Sequence, residues 1–104
     1  MDPRRPRICL NMIVKNEAPV IDPCLESVKT FVDHWVIVDT GSSDGTESLV
    51  RKHLSALPGS LHERPWRHFE HNRNEVLALA QREISAADYV FFIDADDALV
   101  IGPD

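Results

Sequence analysis

Three short apolar runs and one weaker strand candidate, separated by segments with helical periodicity, constrain the fold of this chain more than any other feature of its sequence. The apolar runs cover residues 8–14, 35–38 and 89–93, and the last is the most continuous and aromatic. Runs of this length between turn residues predict buried strands, and residues 61–66 are a weak strand candidate. The segments between them repeat apolar residues every three or four positions, which predicts amphipathic helices. The order β-α-β-α-β-α-β therefore favours an α/β fold, Rossmann-like, with a mostly parallel sheet and helices on both faces.

The helix starts carry sequence signals of different kinds. Asn16 offers a cap for the first helix, which presents one apolar face from Ile21 onwards. Asp44 followed three residues later by Glu47 resembles a capping box for the second helix. The third helix is expected over residues 72–83, where the apolar positions again recur at helical spacing.

Length and composition predict one soluble domain. The chain has 104 residues, 43% hydrophobic and 27% charged, and a formal net charge of −6. This charge argues against non-specific binding to nucleic acid, but a bound divalent cation would still allow a phosphate ligand. No apolar stretch approaches the roughly 20 residues of a membrane span. We expect residues 1–7 to be a disordered lead-in, residues 8–104 to be the domain, and the location to be cytoplasmic.

Polar residues follow three of the predicted strands at the point where each strand ends. Lys15-Asn16-Glu17 follows the first strand, Asp39-Thr40-Gly41-Ser42 the second, and Asp94-Ala95-Asp96-Asp97 the fourth. In open α/β sheets, ligands bind beyond the carboxyl ends of the strands. Acids at three strand ends on one rim of the sheet therefore predict a ligand site there.

The acids after the fourth strand have two readings. Two unit charges about 4 Å apart repel by roughly 4 kcal/mol at an effective dielectric of 20, so solvent, a proton or a cation must relieve the crowding of Asp94, Asp96 and Asp97. Oxygen ligands suit Mg²⁺ or Mn²⁺, especially when phosphate oxygens complete the shell. A solvated acidic loop is the alternative. The apolar strand directly before the acids favours the cation.

The other polar residues leave alternatives open. Asp39 either forms a turn or accepts hydrogen bonds from a base or ribose. Glu17 either favours the positive end of the first helix or faces a ligand. Arg73 lies on a solvated helix face or meets a diphosphate or base. His68 and His71 have H-x-x-H spacing without a further nitrogen or sulfur ligand nearby, which argues against zinc.

Four ordered blocks of this sequence resemble family 2 glycosyltransferases of the GT-A fold, nearest the subgroup with lipopolysaccharide-core glucosyltransferases and peptide glycosyltransferases. The blocks are Met12-Ile13-Val14-Lys15-Asn16-Glu17; Val38-Asp39-Thr40-Gly41-Ser42-Ser43-Asp44-Gly45-Thr46; Arg73-Asn74 with Ala78-Leu79; and Ile93-Asp94-Ala95-Asp96. They span about residues 8 to 99, which makes the resemblance far more specific than a lone D-x-D.

The resemblance implies a nucleotide-diphosphate-sugar donor, often a UDP-sugar, and inverting transfer to an unknown acceptor. It implies that Mn²⁺ or Mg²⁺ is held by the D-x-D acids, with Asp96 the direct metal ligand and Asp94 a ligand nearer the ribose. The implied nucleotide-sugar-binding residues are Ile13, Lys15, Glu17, Asp39, Arg73 and Asp94. A metal bridging the two phosphates would stabilise the charge on the departing diphosphate.

Two features depart from the family pattern. Thr40 stands where many relatives carry a second acid, and no residue can be assigned as the general base that the family keeps in its acceptor-binding half. The chain is therefore expected to be a truncated piece or a minimal domain. Dimerisation is plausible through exposed sheet edges.

The same residues bear on three other functions. A non-catalytic nucleotide-binding or assembly module would keep the fold without turnover. A phosphorylation-regulated receiver domain would place acids after its first and third strands, whereas here Lys15 and Asn16 follow the first. A P-loop is excluded because the sequence lacks G-x-x-x-x-G-K.

Overall fold

A computed structural model describes residues 7–83 and 89–94 of the chain. Four strands and three helices alternate along it: β1 (Ile8–Val14), α1 (Ile21–Val28), β2 (His34–Asp39), α2 (Thr46–Leu54), β3 (Gly59–Glu63), α3 (Phe69–Glu83) and β4 (Tyr89–Phe92). This is the predicted element order. The lead-in over residues 1–6 and the acids Asp96 and Asp97 lie outside the described residues.

All four strands belong to one parallel sheet with the order β3-β2-β1-β4. The chain moves outward from β1 through β2 to β3, then crosses back so that β4 pairs with the other side of β1. The strand order thus reverses beside β1, and such a reversal opens a crevice at the carboxyl ends of the strands. The Rossmann-like α/β prediction is confirmed.

The two faces of the sheet form two cores. Alternate residues of β1 and β2, such as Leu10 and Ile37, pack with α1 and α2 in the larger cluster. The residues between them, such as Cys9 and Val36, pack with Val76 and its neighbours on α3. Helices on both faces explain why β1 and β2 read as continuous apolar runs, since neither side of these strands meets water. None of the described helices is long and apolar enough to cross a membrane.

Asn11 is the polar exception in β1. Its side chain is fully buried, and Nδ2 lies 3.4 Å from both the Val36 and the Val76 carbonyl oxygens. It therefore connects the sheet to α3 from within the core.

Both predicted helix caps are wrong. Asn16 has a positive φ of 51° and lies in the turn before α1, whose N-cap is Val20. The N-cap of α2 is Gly45, in the left-handed region, and it makes no side-chain cap hydrogen bond. Asp44 instead accepts from the Thr46 amide at 3.1 Å, one position out of register for a capping box. These polar residues serve contacts between loops, which sequence spacing does not reveal.

β3 and α3 also differ from their predicted bounds. β3 runs from Gly59 to Glu63 rather than over 61–66, and α3 begins at Phe69 rather than at 72. Gly59 is in the strand because the Trp35 ring covers it: a Cβ there would lie 2.3 Å from ring atoms. The missing side chain of Gly59 therefore allows the Trp35 ring to pack closely. The sequence Pro58-Gly59 by itself predicts a turn at this position.

Candidate functional site

A crevice opens at the carboxyl ends of β1 and β4, where the strand order reverses. Its volume is about 360 Å³, at the lower end of the range for small-molecule sites. The residues lining it are Ile13, Val14, Lys15, Glu17, Thr40, Trp66, Phe69 and Asp94. Four of the six predicted nucleotide-sugar residues, Ile13, Lys15, Glu17 and Asp94, are thus brought together although up to 81 positions separate them in sequence.

A second cavity of about 380 Å³ borders the crevice, because Thr40 lines both. Its other lining residues are Asp39, Gly41, Glu63, Arg64 and Pro65. We call it the β2 cavity, since it lies at the end of that strand. The Thr40 amide and hydroxyl donate to the Val14 carbonyl at 2.9 and 3.3 Å, which fixes the boundary between the two cavities.

Asp39 has one engaged and one unpartnered carboxylate oxygen. Oδ1 accepts from the Gly41 and Ser42 amides at 2.8 and 2.7 Å, which closes the turn after β2. Oδ2 is buried without a hydrogen-bond partner, and the residue is only 1% exposed. Asp39 therefore forms the turn, as the first reading predicts. The ligand reading stays a prediction, and Oδ2 is the acceptor atom that it would use.

Two loops are joined by side chains beside the crevice. The Asn16 amide donates to Ser42 Oγ at 2.8 Å, and Asn16 Oδ1 accepts from the Ser43 amide at 2.7 Å. The Glu17 amide donates to Thr46 Oγ1 at 2.9 Å. These contacts hold the β1–α1 loop, which carries Lys15 and Glu17, against the β2–α2 loop.

Glu47 and Glu63 extend the negative charge around Asp39. Burial raises the pKa of Glu47, and a hydrogen bond with Glu63 together with repulsion from Asp39 and Glu63 adds to this shift. The positive charge of Arg51 opposes this shift and lowers the pKa of Glu47. The region near Asp39 would therefore favour a ligand that donates hydrogen bonds.

The structure does not bring Arg73 to either cavity. Arg73 is exposed in the first turns of α3, whereas Arg64 lines the β2 cavity. Arg64 follows the end of β3, and its amide donates to the Asp39 carbonyl at 3.0 Å. Its placement depends on the bounds of β3, so sequence spacing gave no signal for it.

Residues 9–100 match the family described as glycosyl transferase family 2. The match covers the strands, the loops of the crevice and Asp94. The chain belongs to glycosyl transferase family 2. The resemblance inferred from the four sequence blocks is thereby confirmed.

Relatives of this family 2 domain come from several bacteria. It is 34% identical over 95 residues to a TPR repeat-containing protein of Synechococcus elongatus, covering 91% of this chain and 22% of that protein. It is 28% identical over 93 residues to the SPbeta prophage-derived glycosyltransferase SunS of Bacillus subtilis, covering 88% and 20%. It is 34% identical over 89 residues to the lipopolysaccharide core biosynthesis glycosyltransferase LpsC of Rhizobium meliloti, covering 85% and 31%. The chain thus spans between 20% and 31% of the length of each relative.

The donor atoms of the family 2 crevice suit a hard cation only in part. Glu17 and Asp94 offer carboxylate oxygens at its rim, the chemistry that Mg²⁺ and Mn²⁺ favour. Among residues 7–83 and 89–94, no three His, Cys, Asp or Glu side chains are close enough together to hold a metal ion. A metal here would need phosphate oxygens of a ligand, and Asp96 lies outside the described part of the chain.

Trp66 and Phe69 line the crevice, yet sequence reasoning assigned them no role. They are 51% and 52% exposed, and each is a large apolar side chain at a site with several polar residues. Trp66 lies between β3 and α3, and Phe69 is the first residue of α3. The sequence signal was two aromatics among charged residues, but Trp66 was assigned to the predicted strand over 61–66 and Phe69 lay between that strand and the predicted helix.

Proposed function

We propose that this family 2 domain is the donor-binding part of a glycosyltransferase, which binds a nucleotide-diphosphate sugar, most simply a UDP-sugar. The supporting observation is the crevice at the strand reversal, where Lys15, Glu17 and Asp94 converge beside Thr40. The ammonium group of Lys15 suits the diphosphate of such a ligand, and the carboxylates of Glu17 and Asp94 suit its ribose. Residues 8–104 would act as one unit in this binding.

Each side chain has a defined task in this proposal. Lys15 would hold the diphosphate through its ammonium group, while Glu17 and Asp94 would accept hydrogen bonds from ribose hydroxyls. Asp39 Oδ2, buried and unpartnered, would accept a hydrogen bond from an N–H of the base. Ile13 would supply apolar contact beneath the nucleoside.

Mn²⁺ or Mg²⁺ would be held by Asp94 and Asp96 together with phosphate oxygens of the donor. When bound, the ion supplies charge stabilisation for the departing diphosphate in an inverting transfer. Transfer to the acceptor would also require a general base, a role that this proposal gives to none of the described residues.

Calorimetry with UDP and GDP, each with and without Mn²⁺, tests the proposal. We expect saturable binding of one nucleotide that strengthens with Mn²⁺; a flat titration with both nucleotides in the presence of Mn²⁺ would refute it. Asp96→Ala should abolish the metal dependence. Asp22→Asn is a matched control, because Asp22 is exposed on α1 and contacts His53 rather than the crevice.

A non-catalytic nucleotide-binding or assembly module of the same fold is the second candidate. Incubation of the purified chain with a UDP-sugar and candidate acceptors separates the two. Sugar transfer would reject the module, whereas nucleotide binding without turnover would support it.

Homodimerisation through the sheet edges and a cytoplasmic location stay predictions. β3 and β4 form the two edges of the described sheet. Sedimentation of the purified chain over a range of concentrations checks the first, and fractionation of cells producing the native protein checks the second.

A further inference from the structure

Trp66 and Phe69 expose about half of their surfaces at the mouth of the crevice. Exposed aromatic surface is unfavourable in water, and a fold gains nothing from it unless another group covers it. Their neighbours in the crevice include the apolar Ile13 as well as polar residues such as Lys15 and Glu17. The aromatic surface is therefore placed where a ligand with both apolar and polar parts would lie.

The buried side chain of Asn72 holds the segment that carries Trp66 through two hydrogen bonds. The Asn72 side chain is fully buried; its Nδ2 donates to the Pro65 carbonyl at 3.1 Å, and its Oδ1 accepts from the Arg67 amide at 3.0 Å. These two bonds hold the backbone on both sides of Trp66. The backbone from which the exposed Trp66 ring projects is therefore held in position.

Phe69 is fixed by a different contact. Its ring meets that of Phe92 edge to face, with centroids 5.9 Å apart and planes at 86°. Phe92 is the last residue of β4, two positions before Asp94. This contact couples the aromatic side of the crevice to the strand that carries the predicted ribose ligand.

We propose that Trp66, with Phe69 beside it, forms an aromatic wall on which the nucleobase of the donor stacks. The inference rests on the proposed nucleotide binding. A base has a flat face and an edge with N–H groups, and the site offers a counterpart for each. The flat face of the base would stack on the aromatic wall. An N–H group on its edge would donate to the unpartnered Asp39 Oδ2, on the other side of Thr40. Ribose hydroxyls instead suit Glu17 and Asp94.

Tryptophan fluorescence gives a direct readout, because the chain has two tryptophans in contrasting environments. Trp35 is buried at 5% exposure, whereas Trp66 is at 51%. Adding UDP with Mn²⁺ should quench the solvent-exposed emission of Trp66, and Trp66→Phe should remove that response. Inorganic pyrophosphate and ribose 5-phosphate, which lack a base, should leave the emission unchanged. Equal quenching by these baseless probes would overturn base stacking.

Variants measure how much the wall contributes. Stacking of a base on an aromatic side chain typically changes affinity by between about fivefold and about a hundredfold. Trp66→Leu should weaken UDP binding within that range, Trp66→Phe should retain most of it, and pyrophosphate binding should be the same in both. Phe31→Leu is the matched control, since the Phe31 ring packs on Phe91 with the other core, 5.5 Å between centroids.

The outcomes separate this inference from the proposed function. UDP binding that Trp66→Leu and Phe69→Leu leave unchanged would overturn the wall while nucleotide binding stands. If UDP and UDP-glucose bind but only UDP-glucose responds to Trp66→Leu, the wall holds the sugar ring and base stacking is wrong. No binding of any nucleotide to the unaltered chain would defeat both.

Discussion

The two carboxylate oxygens of Asp39 have different surroundings, and the proposed function gives each of them a different task. Oδ1 holds the turn through two amides, while Oδ2 is buried without a partner at the β2 cavity. A buried acceptor without a partner lowers stability, which is why we propose that Oδ2 accepts a hydrogen bond from a ligand. The structural role and the proposed binding role of this residue thus belong to different atoms.

Asp39→Asn should separate these two tasks. The amide oxygen can still accept from Gly41 and Ser42, so the unfolding midpoint in urea should stay close to that of the unaltered chain. The amide nitrogen at the Oδ2 position donates and cannot accept, so nucleotide binding should fall at least tenfold, on the order of one hydrogen bond to a charged acceptor.

Asp39→Ala is the comparison, since it removes both oxygens. It should lower the free energy of unfolding by about 1–3 kcal/mol, because the Gly41 and Ser42 amides lose their acceptor. Equal nucleotide affinity in Asp39→Asn and the unaltered chain would show that Oδ2 makes no contact with the ligand.

Gly59→Ala should lower the free energy of unfolding by about 1–3 kcal/mol, the usual cost of overpacking. The added Cβ would lie 2.3 Å from the Trp35 ring, which has no room to turn in the core. The double variant Gly59→Ala with Trp35→Leu should lose less stability than the two changes summed, as measured in urea. Strict additivity would mean that the ring does not restrict this position.

The β1–α1 and β2–α2 loops act as one element because side chains of each bind the backbone of the other. Asn16 is central: it donates and accepts across the gap, and its positive φ aims the chain toward the second loop. The blocks Lys15-Asn16-Glu17 and Ser42-Ser43-Asp44 therefore include residues that shape the crevice without lining it. A family motif in the sequence therefore contains both residues that line the crevice and residues that only hold its loops in place.

Variants of Asn16 separate backbone strain from hydrogen bonding. Asn16→Gly keeps the left-handed backbone and loses the bond to the Ser43 amide, which should lower the free energy of unfolding by about 0.5–1.5 kcal/mol. Asn16→Ala loses the same bond and adds roughly 1 kcal/mol or more for a left-handed residue with a Cβ. Denaturant unfolding measures both, and equal values for the two variants would contradict the role of φ.

At the scale of the described molecule, the residues that line the two cavities are distinct from a histidine cluster formed by His34, Ser60, His62 and Glu83. His62 Nε2 lies 2.8 Å from Glu83 Oε2, and His34 Nε2 lies 3.9 Å from Glu83 Oε1. The length of β2, six residues or roughly 17–20 Å, separates His34 from Asp39. His62, on the neighbouring strand, instead pairs with Val38 near the carboxyl end of β2.

The histidine cluster should make the fold sensitive to acid. Burial lowers the pKa of His34 below its ordinary 6.5, against the opposing effect of Glu83. Burial would raise the pKa of Glu83, but hydrogen bonds from Ser60 and His62 and the nearby imidazoles outweigh it, and the net shift is downward. In both cases the unfolded chain binds protons more readily than the folded one, so acid favours unfolding.

Stability should therefore be highest above the ordinary pKa of His34 and fall as the pH drops through it, with a further loss as Glu83 titrates. Urea midpoints across this pH range measure the effect, and His34→Gln should remove the upper step. Nucleotide affinity at neutral pH should be the same in His34→Gln, because His34 is the first residue of β2 and the cavities lie at the end of that strand. A midpoint independent of pH above the titration of Glu83 would contradict the prediction.

Local patterning in the sequence determined the fold class and most of the crevice. Apolar runs and helical spacing follow from burial on two faces, and parallel strands bring the residues after β1, β2 and β4 to one edge, so Lys15, Glu17 and Asp94 could be placed together in advance. Only the tertiary structure decided what depends on contacts between distant segments. Trp66 enters the crevice because buried Asn72 holds its loop, and Gly59 belongs to β3 because Trp35 covers it. Arg73 lies outside both cavities because α3 buries the face that carries Asn72, Val76, Leu79 and Ala80. The periodicity of apolar residues shows which face of a helix or strand is buried. Contacts between loops depend instead on where each helix or strand begins, and packing against distant segments of the chain determines those boundaries.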